Sequence, residues 1–72
     1  MAEIQSVKVA YTAAVSHFRA WPIDALQTKA AELFTEAAVH YRAGERAMGL
    51  HLGTLGAAAE RVLETRGLSL RR

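Results

Sequence analysis

The sequence predicts an all-α fold: a short helix, a turn and a long helix, giving a helical hairpin that assembles with a second copy as a dimeric four-helix bundle. Three observations lead there. Apolar residues recur at three- and four-residue spacing along nearly the whole chain, the period of an amphipathic helix. The 72 residues are 51% hydrophobic, and alanine supplies much of that share, which raises helix propensity more than core volume. The one proline, Pro22, falls between two apolar stripes that differ in phase.

Helix 1 is expected over about residues 2–20. Ile4, Val7, Tyr11, Ala14, Phe18 and Trp21 form its stripe, widened by Val15, and Gln5, Lys8, Ser16 and Arg19 lie on the exposed side. Pro22 lacks a backbone donor and pushes Trp21 toward an extended conformation, so it ends one helix or opens the next at its first position. Extrapolated through Pro22, the first stripe points about 120° away from the second, so a kinked continuous helix would not align them. A reversal at Trp21 and Pro22 makes an antiparallel hairpin instead. Asp24 then falls in the first turn of helix 2, where a carboxylate suits the positive end of the dipole.

Helix 2 is expected over about residues 22–66. Ile23, Leu26, Ala30, Leu33, Phe34, Ala37, Tyr41, Gly44, Met48, Leu52, Leu55, Ala59, Val62 and Leu63 project within a sector roughly 120° wide. Gly44 is a possible terminator, and a monomeric three-helix bundle is the alternative. Two features favour continuity: residues 45–48 contain no Ser, Thr, Asp or Asn to cap a fresh helix, and the stripe keeps its phase across Gly44. At 1.5 Å per residue, that helix would span on the order of 65 Å. It stops near Arg66, a cation at the negative end of the dipole, with Gly67 as a left-handed cap, Leu68 folding back, and 67–72 as a basic tail.

Gly49, Gly53 and Gly56 lie together on one flank beside Glu60 and cost about 2 to 3 kcal/mol of helix propensity relative to alanine. They read either as a flat surface, extended by Ala57, for close approach of another helix, or as a place where the helix bends or breaks between 44 and 56.

Helix 1 covers less than half of the long stripe. Tyr41, Met48, Leu52, Leu55, Ala59, Val62 and Leu63 are left bare and form the expected homodimer interface. Self-association also suits so short a chain, which has no cysteine and hence no disulfide, thiol chemistry or Cys-type zinc site to supplement its core.

Nine Lys and Arg against seven Asp and Glu give a net charge of +2, which permits nucleic-acid binding without indicating it. Acidic and polar residues near the start and the lack of a long uncharged apolar run predict a soluble, cytoplasmic protein with no membrane association.

Catalytic and metal chemistry find little support. Glu36 and His40 share a helical face, but His51 lies about 16 Å further along, so within one protomer they make no site; an antiparallel dimer would bring His40 toward the partner's His51. His17 has no such neighbours. Ser6, Ser16 and Ser69 have no base or oxyanion nest, and the glycines lack a phosphate-loop context. No catalytic, cofactor or metal residues are assigned, and the expectation is a non-enzymatic protein.

Val39 and Leu50 project opposite the stripe, near Ala43 and flanked by Arg42 and Arg46. This row is the candidate surface for a larger protein partner, with the chain acting as a small regulator, adaptor or inhibitor. The alternative is a nucleic-acid-binding regulator using Arg42 and Arg46, with Arg61, Arg71 and Arg72 beyond; Glu45, Glu60 and Glu64 interrupt that field, and the aromatic residues fall on or beside the stripes.

Tyr41, Arg42, Ala43, Gly44 and Glu45 together resemble the Tyr-x-x-x-Asp/Glu signal of actinobacterial type VII secretion substrates, which are helical hairpins with a Trp-x-Gly turn. This chain has Trp21, Pro22 and Ile23 at the turn, without the glycine. The resemblance covers these positions only and implies, as a minor alternative, a secreted helical hairpin.

Overall fold

The computed structural model describes residues 2–67, with side chains from Val7 onward. Ile4, Gln5, Ser6 and Leu68, Ser69 and the rest of the tail, as sites of the expectations above, lie outside the described side chains. Three helices follow one another: α1 (Ala2–Phe18), α2 (Ile23–Arg42) and α3 (Arg46–Thr65). All secondary structure among the described residues is helical.

Pro22 does what its chemistry requires. It caps α2 with φ −62° and ψ 152°, and its carbonyl accepts the first α2 bond from the Leu26 amide at 3.0 Å. Asp24 sits in the first turn. The corner before it is filled by rings: Phe18 and Trp21 pack edge to face with centroids 5.0 Å apart, and His17 lies 5.5 Å from Phe18.

The single long helix over 22–66 is not what the chain forms; it reverses at residues 43–45. Gly44 adopts φ +83°, its amide donates to the Tyr41 carbonyl at 3.1 Å, and the Glu45 amide donates to the His40 carbonyl at 2.8 Å. Those two bonds are the Schellman pair that satisfies the last carbonyls of a helix. The missing N-cap did not prevent a restart, since α3 begins at Arg46 with Glu45 in the cap position and no side-chain cap bond. A strong stop signal outweighed a weak start signal. The longest dimension of the molecule is 33 Å, half of what the continuous helix would need. Phase coherence across Gly44 misled because two antiparallel helices joined by a short turn must also face their apolar sides toward each other.

A Cβ at Gly44 would meet nothing within 4 Å, so only the backbone conformation resists a side chain there. Gly44→Ala is therefore expected to cost about 1 kcal/mol and to lower the melting temperature by about 5 °C, read from a circular-dichroism melt.

Each outer helix packs on α3, while α1 and α2 have little contact with each other. The core comprises Ala14 and Phe18 from α1, Leu26, Ala30 and Leu33 from α2, and Ala58, Ala59, Val62 and Leu63 from α3. Tyr11, Val15, Trp21, Leu52 and Leu55 pack against it half-buried. Val7 and Tyr11 line a groove with Thr54 and Ala57, and the carbonyls of Arg19 and Trp21 bind Arg66, so α1 runs parallel to α3 and α2 antiparallel to it.

The glycines of α3 form the seam with α2. A Cβ on Gly49 would lie 2.9 to 3.1 Å from the Tyr41 ring, one on Gly56 3.2 to 3.3 Å from the Phe34 ring, and one on Gly53 3.9 Å from the Ala37 Cβ. Close approach is thus the reading the structure supports, and α3 continues through all three glycines. Gly67 takes φ +80° and donates to the Glu64 carbonyl at 3.0 Å, the left-handed cap expected of it.

Candidate functional site

No described helix is long and apolar enough to cross a membrane, and no group of three described His, Asp or Glu side chains is arranged to hold a metal ion. The surface of the described residues carries open, shallow depressions. One, about 490 Å³, runs between α1 and α3 and is lined by Val7, Lys8, Tyr11, Thr12, Thr54 and Ala57. Its walls are mainly apolar, Lys8, Tyr11, Thr12 and Thr54 contribute its polar atoms, and no carboxylate or imidazole is among its lining residues.

Each helix carries one histidine: His17 on α1, His40 on α2 and His51 on α3. The His40 Nδ1 atom lies 2.5 Å from the Glu45 Oε1 atom, spanning the α2–α3 turn, and His51 is exposed on α3. This clasp ties the last turn of α2 to the first residue before α3. Glu36 and His40 remain four residues apart on α2, as the sequence placed them; the reversal adds Glu45, whose carboxylate meets the imidazole.

The residues expected at a homodimer interface divide in two. Ala59, Val62 and Leu63 are buried inside the chain's own core, and Leu52 and Leu55 pack against it. Tyr41 and Met48 remain about half exposed. What had looked like a bare stripe is largely covered by α1 and α2 of the same chain.

The row proposed for a partner is cut by the turn. Val39 lies two residues, about 200°, beyond Ala37, and Ala37 faces Gly53 of α3, so Val39 points away from the hairpin seam. Arg42, Ala43 and Arg46 are exposed at the hairpin tip. Leu50 is half-buried on the flank of α3, about 100° round from Gly49, and does not share a face with Val39. The structure keeps Val39, Arg42, Ala43 and Arg46 at one end of the molecule and detaches Leu50 from them.

Among the described residues, four of the six exposed large apolar side chains belong to α2: Ile23, Phe34, Val39 and Tyr41, at 41, 39, 51 and 48% exposure. That concentration makes α2 the presenting element of the fold. Ile23, Phe34 and Tyr41 are separated by eleven and seven residues, which places them within about 20° of one another. Phe34 and Tyr41 set part of each ring against Gly56 and Gly49 and leave the remainder to solvent.

Arg66 has a role that its sequence position did not disclose. Its guanidinium donates to the Trp21 carbonyl at 2.7 Å and to the Arg19 carbonyl, binding the end of α3 to the terminus of α1. Sequence assigned Arg66 to its own helix dipole; in the fold it satisfies carbonyls at the end of another helix, where a cation is favoured for the same reason. No protein-family model, no curated protein and no solved structure matches this chain.

Proposed function

We propose that the chain is a non-enzymatic protein-binding module, a small helical regulator, adaptor or inhibitor that docks on a larger protein and works as a homodimer in the cytoplasm. The observation that supports it is the exposure of Val39 on the outward side of α2, beside a hairpin tip carrying Arg42, Ala43 and Arg46. An apolar side chain next to arginines offers the combination enriched at interface anchors: area to bury and a planar donor for carboxylates. An acidic, helix-accepting groove is the complementary surface.

The test is quantitative affinity capture with the wild type and with Val39→Glu and Arg46→Glu, whose side chains lie outside the core. A specific protein retained by the wild type and reduced at least about tenfold by either variant, with unchanged helicity, supports the surface. Equal retention removes these residues from the interface. Exposure of both Arg42 and Arg46 at the tip favours nucleic acid as the second reading, which requires retention on DNA that falls steeply with salt and is lost in Arg46→Glu.

A further inference from the structure

We infer that two copies associate through α2, antiparallel, by the stripe Ile23, Phe34 and Tyr41, with Asp24 of each copy meeting Arg42 of the other. This rests on the self-association proposed above and replaces the C-terminal stripe, now internal, with a specific face and register. Ile23 and Tyr41 are eighteen residues apart, as are Asp24 and Arg42, which is five complete helical turns. An apolar residue followed by a charged one therefore recurs at the same angle at both ends of α2, with opposite sign of charge. All four are exposed.

A two-fold axis perpendicular to α2 between Glu32 and Leu33 exchanges the ends. It sets Tyr41 of one copy beside Ile23 and Asp24 of the other, and brings Arg42 to the opposing Asp24 and Ile23. The same operation lays the half-exposed Phe34 ring over Ala31 and places Ala38 opposite Gln27. Ala31 and Ala38 are exposed and small, so bulky residues meet small ones, as isologous helix packing requires. A parallel arrangement would put Arg42 beside Arg42 and Asp24 beside Asp24. Charge complementarity thus selects both a second copy and its direction.

The stripe is about 27 Å long and one helix wide, smaller than the roughly 800 Å² per partner of a standard interface. The dimer is accordingly expected in the micromolar range or weaker, and must be sought at high concentration.

The experiment is sedimentation equilibrium of the full chain from micromolar to millimolar concentration, with circular dichroism to confirm folding. Wild type is expected to dimerise. Arg42→Glu alone and Asp24→Arg alone each replace two attractions by two repulsions and are expected to raise the dissociation constant about tenfold. An equimolar mixture of these two variants restores both pairs in a heterodimer and is expected to recover wild-type association. Ala31→Glu, at an exposed site with good helix propensity, provides a second probe and is expected to abolish the dimer. A monomer at every concentration overturns the register and the homodimer together. A dimer indifferent to Ala31→Glu, or single reversals that the mixture does not rescue, overturns this register while leaving self-association standing.

Discussion

Gly56→Leu is expected to destabilise the folded chain by about 2 kcal/mol. Even a methyl group at this position would lie 3.2 to 3.3 Å from three atoms of the Phe34 ring, and leucine drives three further carbons into the same space. Overpacking of that kind costs about 1 to 3 kcal/mol; a leucine against an aromatic ring stands at the upper end, and about 1 kcal/mol of helix propensity is recovered when glycine leaves α3, which leaves a net loss of about 2 kcal/mol. The expected shift is about 10 °C in melting temperature for a chain of this size, measured in parallel with urea unfolding. Adding Phe34→Ala to the same chain moves the bulk from one side of the seam to the other and should return more than half of the loss. A Gly56→Leu chain as stable as wild type would mean that α2 does not lie against Gly56.

The second large effect is Leu63→Ala. Leu63 is fully buried in the cluster contributed by all three helices. Truncating such a leucine costs about 2 to 5 kcal/mol through lost burial and the cavity left behind. A domain of this length has total stability on the order of 5 kcal/mol, so the variant is expected to be largely unfolded near 37 °C. Met48→Ala serves as the contrast. Met48 is 47% exposed and its loss is expected to change stability by less than about 1 kcal/mol. The Leu63 penalty is expected to be the same across a dilution series, because the side chain is covered within its own chain. A penalty that appears only at high concentration would return Leu63 to an intermolecular interface.

Much of the tertiary seam is legible once the turn is known. Phe34 and Tyr41 are seven residues apart, as are Gly49 and Gly56. Reflected about residue 45, each aromatic ring falls on a glycine, with Ala37 on Gly53 between them. This matching of large with small was the available signal for the hairpin. It competed with stripe phase, which both arrangements share, and with the absence of an N-cap at residues 45–48, which proved a weaker constraint than the left-handed conformation open to Gly44. Arg66 is different. Its partners are backbone carbonyls at Arg19 and Trp21, more than forty residues away, and carbonyls carry no side-chain pattern from which such a bond is read.

The amino-acid sequence by itself determined the local structure: helices from the three- and four-residue spacing, the corner from Pro22, the first-turn position of Asp24 and the left-handed cap at Gly67, because each depends on backbone geometry and neighbours within one or two turns. Tertiary structure alone decided how the apolar stripe is covered. The C-terminal half of the stripe is satisfied by α1 and α2, since a three-residue reversal at Gly44 brings distant segments together and buries their side chains without a second chain. It also decided which apolar residues stay outside. Phe34 and Tyr41 set one side of each ring against α3 and Ile23 shares their angle on α2, so helical spacing groups the three with the core, and only the placement of α3 leaves part of each side chain open to solvent.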